Sequence, residues 1–220
     1  KRGDVVMLRS TVPVGTTRNV VREILEETSG MEAAIDFHLA FAPERTAEGR
    51  AMEELRNLPQ IVGGLSSLCA KRSMELWSSL TDSVIQVDSL EAAELVKLIN
   101  NSFRDLSFAF ANSVALLGDR FNINAFKLIN AANEGYPRNR IPLPSPGVGG
   151  YCLTKDPFLF ASVDKNSGHA MLALNGRRVN EEAQSYALKQ VMRYLKRKGK
   201  EIADAKILIV GLAFKGWPET

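Results

Sequence analysis

The stretch Val5-Val6-Met7-Leu8-Arg9-Ser10-Thr11-Val12-Pro13-Val14-Gly15-Thr16-Thr17 runs from four apolar residues through a hydroxyl-, proline- and glycine-bearing loop into a helical pattern with apolar positions at Val20, Val21, Ile24 and Leu25. Val5 to Leu8 reads as a buried strand, and Thr16 or Thr17 as the cap of the helix that follows. The alternation recurs. Phe37 to Phe41 and Gln60 to Gly64 are strand candidates, Leu65 to Leu80 a helix, and Val84 to Val87 a fourth strand. Strands separated by helices at this spacing predict βαβ units and a partial Rossmann-like parallel sheet, an α/β fold with ligands at the carboxyl ends of its strands.

At Leu90 the texture changes. Leu95, Leu98, Ile99, Phe103, Leu106, Phe110, Val114 and Leu117 repeat every three or four residues with no proline before Arg120, which predicts one helix of roughly thirty residues and about 45 Å. A helix that long bridges two domains or pairs with a partner chain. A shorter helix follows over Ala125 to Asn133, capped by Asn124, then a Pro- and Gly-rich loop from Gly135 to Gly150, then a second long helix from about Ala170 to Lys198. Its basic end, Arg193, Lys196, Arg197, Lys198 and Lys200, could be a phosphate site but reads better as a solvated helix terminus complementing the macrodipole. Lys206 to Gly211 reads as a strand opening another nucleotide-binding unit. The expected domains are 1–89, a Rossmann-like part; 90–200, a helical central part; and 201–220, the start of a third.

Composition narrows the function classes. The 220 residues are 45% hydrophobic and 24% charged, with 28 Lys+Arg against 25 Asp+Glu, a net charge of only +3. That balance argues against a nucleic-acid or anionic-membrane partner. No run is long enough to span a bilayer and no secretory h-region opens the chain, so a cytoplasmic protein is expected. Two distant cysteines and two lone histidines, His38 and His169, give neither a disulfide framework nor metal-ligand spacing.

The residues richest in chemistry are Gly147-Val148-Gly149-Gly150-Tyr151-Cys152-Leu153-Thr154-Lys155-Asp156-Pro157. Glycines let a ligand approach the backbone, and a thiol at a helix start beside a lysine is predicted to have a lowered pKa. Judged on its residues alone, Cys152 can equally be a small buried hydrophobe. Lys97 and Asn101 share a helix face and could stabilise a developing oxyanion, or form an exposed polar stripe paired with Glu94 or Arg104. The hydroxyls of Ser10 to Thr17 can bind a ligand or only cap a helix. Glu44, in Ala42-Pro43-Glu44-Arg45 after the second strand, can be a base or simply pair with Arg45.

Ser10 to Thr17, Ala42 to Arg45, Lys97 with Asn101, Pro137-Arg138, the Gly149 to Asp156 loop and Gly211-Leu212-Ala213-Phe214-Lys215 stand in the order that resembles the UDP-glucose/GDP-mannose dehydrogenase family, over nearly the whole chain. The resemblance implies NAD-dependent, four-electron oxidation of the C6 alcohol of a nucleotide sugar to a carboxylate. It implies that Cys152 forms a thiohemiacetal and then a thioester, that Lys97 and Asn101 hold the C6 oxygen, that Asp156 accepts a proton through water, and that Glu44 assists hydrolysis. Ser10, Thr11, Pro13, Glu44 and Lys155 would lie near NAD. Gly149 and Gly150 would cradle the sugar, and Phe214 and Lys215 would hold the UDP moiety. Arg138, or Arg140, would reach substrate on the second subunit of a homodimer built on the long helix. Ala42 to Arg45 resembles the members acting on UDP-N-acetylhexosamines more than those acting on UDP-glucose. Thr154 replaces a frequent proline, and Ser113 an acidic residue. The family's Gly-x-Gly-x-x-Gly loop has no counterpart in these residues, which implies weak cofactor binding by this polypeptide alone, or, as the alternative, an inactive helical dimerisation module.

Overall fold

Four strands, β1 (Val5–Leu8), β2 (His38–Phe41), β3 (Gln60–Gly64) and β4 (Val84–Val87), make one sheet in the order β1-β2-β3-β4 in the computed structural model, which describes residues 1–47, 49–164 and 168–210. β1 pairs with β2 and β3 with β4 in parallel, but β2 and β3 are antiparallel, with Phe41 opposite Gly63. The wholly parallel sheet expected from the alternation is corrected at this junction. A π-helical turn over Thr17–Val21 and α1 (Arg22–Ser29) cross from β1 to β2, and α3 (Ser67–Trp77) crosses from β3 to β4. Between β2 and β3 stands only α2 (Ala51–Asn57), seven residues none of which is buried. α2 packs on the sheet core only through half-buried Leu55 and does not carry the chain across the sheet, so β3 starts at the end where β2 stops.

The described residues fall into two compact units, one over Lys1–Asn100 and one from Asn101 onward. In the first, β2 is buried along its whole length. Ala40, Val62 and Trp77 form one apolar cluster with Met7 and Met74, while Phe37 and Leu39 form another with Val21 and Leu25. Phe41, Leu90 and Ala93 make a third, so the first turns of α4 (Leu90–Asp119) pack on the sheet. β3 ends in two glycines because nothing larger fits: a Cβ on Gly63 would stand 2.1 Å from the Ser89 carbonyl oxygen, and one on Gly64 2.3 Å from the Ala70 nitrogen.

The helical start at Thr17 is capped from a distance. Glu94 of α4 is 1% exposed; its Oε2 accepts the Gly15 N–H at 2.5 Å, and its Oε1 the Thr17 N–H at 2.8 Å and the Thr17 hydroxyl at 2.6 Å. The expected Thr16/Thr17 hydroxyl cap is thereby corrected, because a carboxylate satisfies the unpaired first-turn amides and their partial positive charge better than a hydroxyl. Glu94 is equally not the ion-pair partner of Lys97. One turn earlier, Glu91 takes a forked pair of bonds from Arg18, at 2.6 and 3.1 Å.

The second unit is helical: the remainder of α4, α5 (Ala125–Asn133), α6 (Gly150–Leu153), α7 (Asp156–Ala161) and α8 (Gly168–Arg197). Asn124 caps α5 by accepting the Lys127 N–H at 3.0 Å, as expected. α8 turns a stripe of Ala170, Ala173, Gly176, Arg177, Asn180 and Ala183 inward. Gly176 permits its close pass over α4, since a Cβ there would lie 2.6 Å from Leu106 Cδ2. The strand expected at Lys206 to Gly211 is not formed over Lys206–Val210; Leu208 and Val210 are 87% and 90% exposed. An all-apolar run is stable as a strand only between neighbours, and among the described residues none pairs with it. No described helix is long and apolar enough to cross a membrane.

Replacing Glu94 by Ala strips three donors of their acceptor and should cost roughly 3 kcal/mol in a denaturant titration. The Glu91 carboxyl is held down to about 2 from 4.5, first by its Arg18 hydrogen bonds, against a smaller opposing effect of burial. A lowered carboxyl stabilises the fold above its unfolded pKa and stops doing so as it is protonated. Glu91→Gln is therefore expected to be less stable than the parent at neutral pH, with the difference in melting temperature closing as pH falls from 4.5 toward 2.

Candidate active site

In the first unit, the loops after β1 and β2 are tied together: the Glu44 N–H donates to the Arg9 carbonyl at 3.2 Å. Arg9 stands over Trp77, its guanidinium carbon 4.4 Å from the ring centroid, and its Nη2 donates to Glu44 Oε2 at 2.6 Å. Glu44 Oε1 accepts from the Thr46 N–H at 2.8 Å and the Thr46 hydroxyl at 2.6 Å. Burial by itself would raise the Glu44 carboxyl, but the two Thr46 bonds and the charges of Arg9 and Lys97 outweigh it and hold the group below its ordinary value. Glu44 thus pairs with Arg9, not with its neighbour Arg45. Ser10, Thr11 and Pro13 occupy the same loop after β1, and the Ser10 and Thr11 hydroxyls have no hydrogen-bond partner among the described residues.

In the second unit, Cys152 is the third residue of α6 and is exposed. Gly150 opens that turn at φ +82°, a conformation only glycine adopts without strain. The Thr154 hydroxyl donates to the Gly150 carbonyl at 2.9 Å and closes it, a bond that a proline could not make. Asp156 begins α7 with its side chain fully buried. Asn101 Nδ2 donates to Asp156 Oδ2 at 2.5 Å, and Lys155 Nζ meets Asp156 Oδ1. The lysine expected beside the thiol is therefore engaged by the neighbouring carboxylate, which offers it a full opposite charge.

The expected residues fall into two groups. Asn101 of α4 joins Lys155 and Asp156, which follow Gly149, Gly150 and Cys152 in the chain, in one hydrogen-bonded cluster. Lys97 acts electrostatically on Glu44. Arg138 stands apart, exposed, with its Nε on the Tyr136 hydroxyl at 2.8 Å and its guanidinium 4.6 Å from that ring. Phe214 and Lys215 lie outside the described residues. Sequence reasoning missed Arg9, which orients Glu44, and the buried Asp105, Arg177 and Asn180. The signal for the last two was present, since Arg177 and Asn180 fall on the same helical stripe as Ala170, Ala173 and Ala183.

The fold falls in a class of NAD-dependent dehydrogenases: residues 1–81 match an NAD binding domain, and NAD is the cofactor of this class. Residues 91–182 match the central domain of the same family, and the chain belongs to the UDP-glucose/GDP-mannose dehydrogenase family. It is 38% identical, over 98% of its length and 50% of the relative's, to a UDP-N-acetyl-D-mannosamine dehydrogenase of Pyrococcus horikoshii. To that of Escherichia coli K12 it is 35% identical, over 98% of this chain and 53% of the relative. The chain spans about half the length of these relatives. Among solved structures, it is similar to the UDP-D-ManNAc dehydrogenase of P. horikoshii, with a TM-score of 0.90 at 35% identity over 98% of this chain and 51% of the other. An NDP-N-acetyl-D-galactosaminuronic acid dehydrogenase of Methanosarcina mazei gives 0.81 at 35% identity, over 91% and 45%.

Arg9→Ala removes both the charge on Glu44 and the contact with Trp77. The Glu44 carboxyl is expected to rise when followed by carbon NMR, since one of the charges that lowers it is gone, with a stability loss of about 1 kcal/mol.

Proposed function

We propose that this chain holds the reacting groups of an NAD-dependent nucleotide-sugar 6-dehydrogenase that takes a UDP-N-acetylhexosamine of the mannosamine type to its uronate, a four-electron oxidation. UDP-glucose is the other substrate in view. The observation that carries the reading is an exposed thiol, Cys152, followed four residues later by a buried carboxylate that Asn101 and Lys155 hold from both oxygens. The names of the relatives support the sugar. When bound, NAD⁺ accepts one hydride in each oxidation. Asn101 and Lys97 hold the C6 oxygen and favour the alkoxide. Asp156 takes the alcohol proton through water; Lys155, half-exposed, is the partner that swings away to admit it. The Cys152 sulfur adds to the aldehyde carbon and its proton ends on the aldehyde oxygen, giving a thiohemiacetal. Loss of that proton and of a second hydride gives a thioester, which water cleaves to the carboxylate and free thiol while Glu44 steers the water.

The helix start at Thr17 does not take the pyrophosphate in this reading, because Glu94 already fills it. The unpartnered Ser10 and Thr11 hydroxyls, with Pro13, Glu44 and Lys155, are the cofactor contacts instead. Gly149 and Gly150 receive the sugar, and Phe214 and Lys215 the UDP. The parts are 1–89 for NAD, 90–200 for catalysis and pairing, and 201–220 opening the UDP-binding part, working in the cytoplasm. Phe103, Phe110 and Leu117 lie seven residues apart on α4 and are 72%, 58% and 55% exposed. This heptad-spaced stripe supports a homodimer through α4, with Arg138 reaching the second subunit's substrate. It equally supports the second reading, a dimerisation module without activity of its own.

Given NAD⁺ and UDP-N-acetylmannosamine, the gene product carrying these residues should yield two NADH per sugar, and Cys152→Ser should stop before the carboxylate. Equal turnover by that variant and its parent would remove the thioester route. A dimer without any NADH formation would leave the module reading.

A further inference from the structure

We propose that Arg177 is a positioning residue for Cys152, acting by clamping both ends of the turn that presents the thiol. The role rests on the reading of Cys152 as the nucleophile. Its geometry does not. The Arg177 side chain is 2% exposed and that of Asp105 fully buried, and Nη1 donates to Asp105 Oδ1 at 2.7 Å. The same Nη1 reaches the Leu153 carbonyl at 3.1 Å, and Nη2 reaches the Val148 carbonyl at 2.7 Å. Val148 and Leu153 immediately flank Gly149-Gly150-Tyr151-Cys152, so one guanidinium fixes the backbone on either side of the thiol.

Thr154 closes the turn on Gly150, but the four residues between Val148 and Leu153 offer no buried side chain to fix it to the rest of the unit. Gly149 and Gly150 have no side chains, Tyr151 is 93% exposed, and Cys152 is exposed. The clamp is in turn anchored. Asn180 Nδ2 donates to Asp105 Oδ1 at 2.8 Å and to the Asp105 carbonyl at 3.0 Å. Asn112 Nδ2 donates to Asn180 Oδ1 at 2.9 Å, while Asn112 Oδ1 accepts the Ser145 N–H at 2.9 Å. One polar network from α4 and α8 therefore fixes the loop at Ser145, Val148 and Leu153.

An apolar pair of similar volume would stabilise the helix packing at least as well as a buried ion pair, which must overcome the desolvation of two charges. What an apolar pair lacks is donors for two loop carbonyls. A planar fork supplies them in fixed directions, whereas an ammonium keeps the charge and loses the fork. Arg177→Lys is accordingly the discriminating substitution.

In the gene product carrying these residues, Arg177→Lys is expected to lower the melting temperature by a few degrees without preventing folding, and to speed hydrogen exchange of amides 147–154 about tenfold, more than that of the α4 and α8 amides. It should lower kcat by about tenfold to a hundredfold with the KM for NAD⁺ unchanged, the pattern of a displaced nucleophile. Asn180→Ala, which removes the partner of Asp105 and of the Asn112 amide while leaving the guanidinium in place, carries the test if Arg177→Lys does not fold, with the same changes at about threefold. Faster exchange with normal kcat, or lower kcat with normal exchange, overturns the positioning role. If instead Cys152→Ser itself keeps full turnover, the nucleophile reading fails, while the exchange result still decides whether the clamp exists.

Discussion

A carboxylate with no exposed surface survives in a helix face only where donors meet it, and α4 carries two. Glu94 is met by the Gly15 and Thr17 amides and a hydroxyl, Asp105 by Arg177 and Asn180. Both fix register. Leu, Ala and Phe on the same helix would tolerate a small slide, because apolar contacts are nondirectional. A slide that parted either acid from its donors would strand a buried charge, at a cost of several kcal/mol. The helix is therefore held in each unit by its least hydrophobic buried residue.

The two carboxylates proposed for the chemistry are met on both oxygens, whereas Asp105 keeps its buried Oδ2 without a hydrogen-bond partner. Glu44 has Arg9 on one oxygen and Thr46 on the other; Asp156 has Asn101 and Lys155. Glu44 is thereby oriented before any substrate arrives, whereas in the proposed reaction Lys155 has to leave Asp156 first. Arg9 is itself held by its contact with the Trp77 ring.

The strands and the long helices were legible in the sequence because each depends on local pattern. Val5–Leu8, Gln60–Gly64 and Val84–Val87 form where apolar runs predict them, and α4 spans the proline-free repeat. The antiparallel step at β2/β3 was not legible, since it turns on whether α2 covers the sheet, and nothing local records that. Of the candidate site, the residue types at Cys152, Asn101 and Asp156 could be singled out, and Asn101 and Asp156 do meet. Their partners could not be read. Arg9, Glu94 and Arg177 act over separations of 35, 77 and 72 residues, to Glu44, Thr17 and Asp105, and only the folded chain brings such groups together. Lys206–Val210 misled for the converse reason: its pattern is that of a strand, but pattern does not supply a neighbour.

Gly63 and Gly64 bear on how this protein responds to mutagenesis. Each sits where a single methyl group would overlap main-chain atoms that cannot withdraw, the Ser89 carbonyl in one case and the Ala70 nitrogen in the other. A saturation library would rank both beside any reacting side chain for intolerance, although neither carries a functional group. Lost activity at those two positions would report a shortage of room, and a map of essential sites drawn from such a library has to be divided by that criterion before chemistry is assigned to any of them.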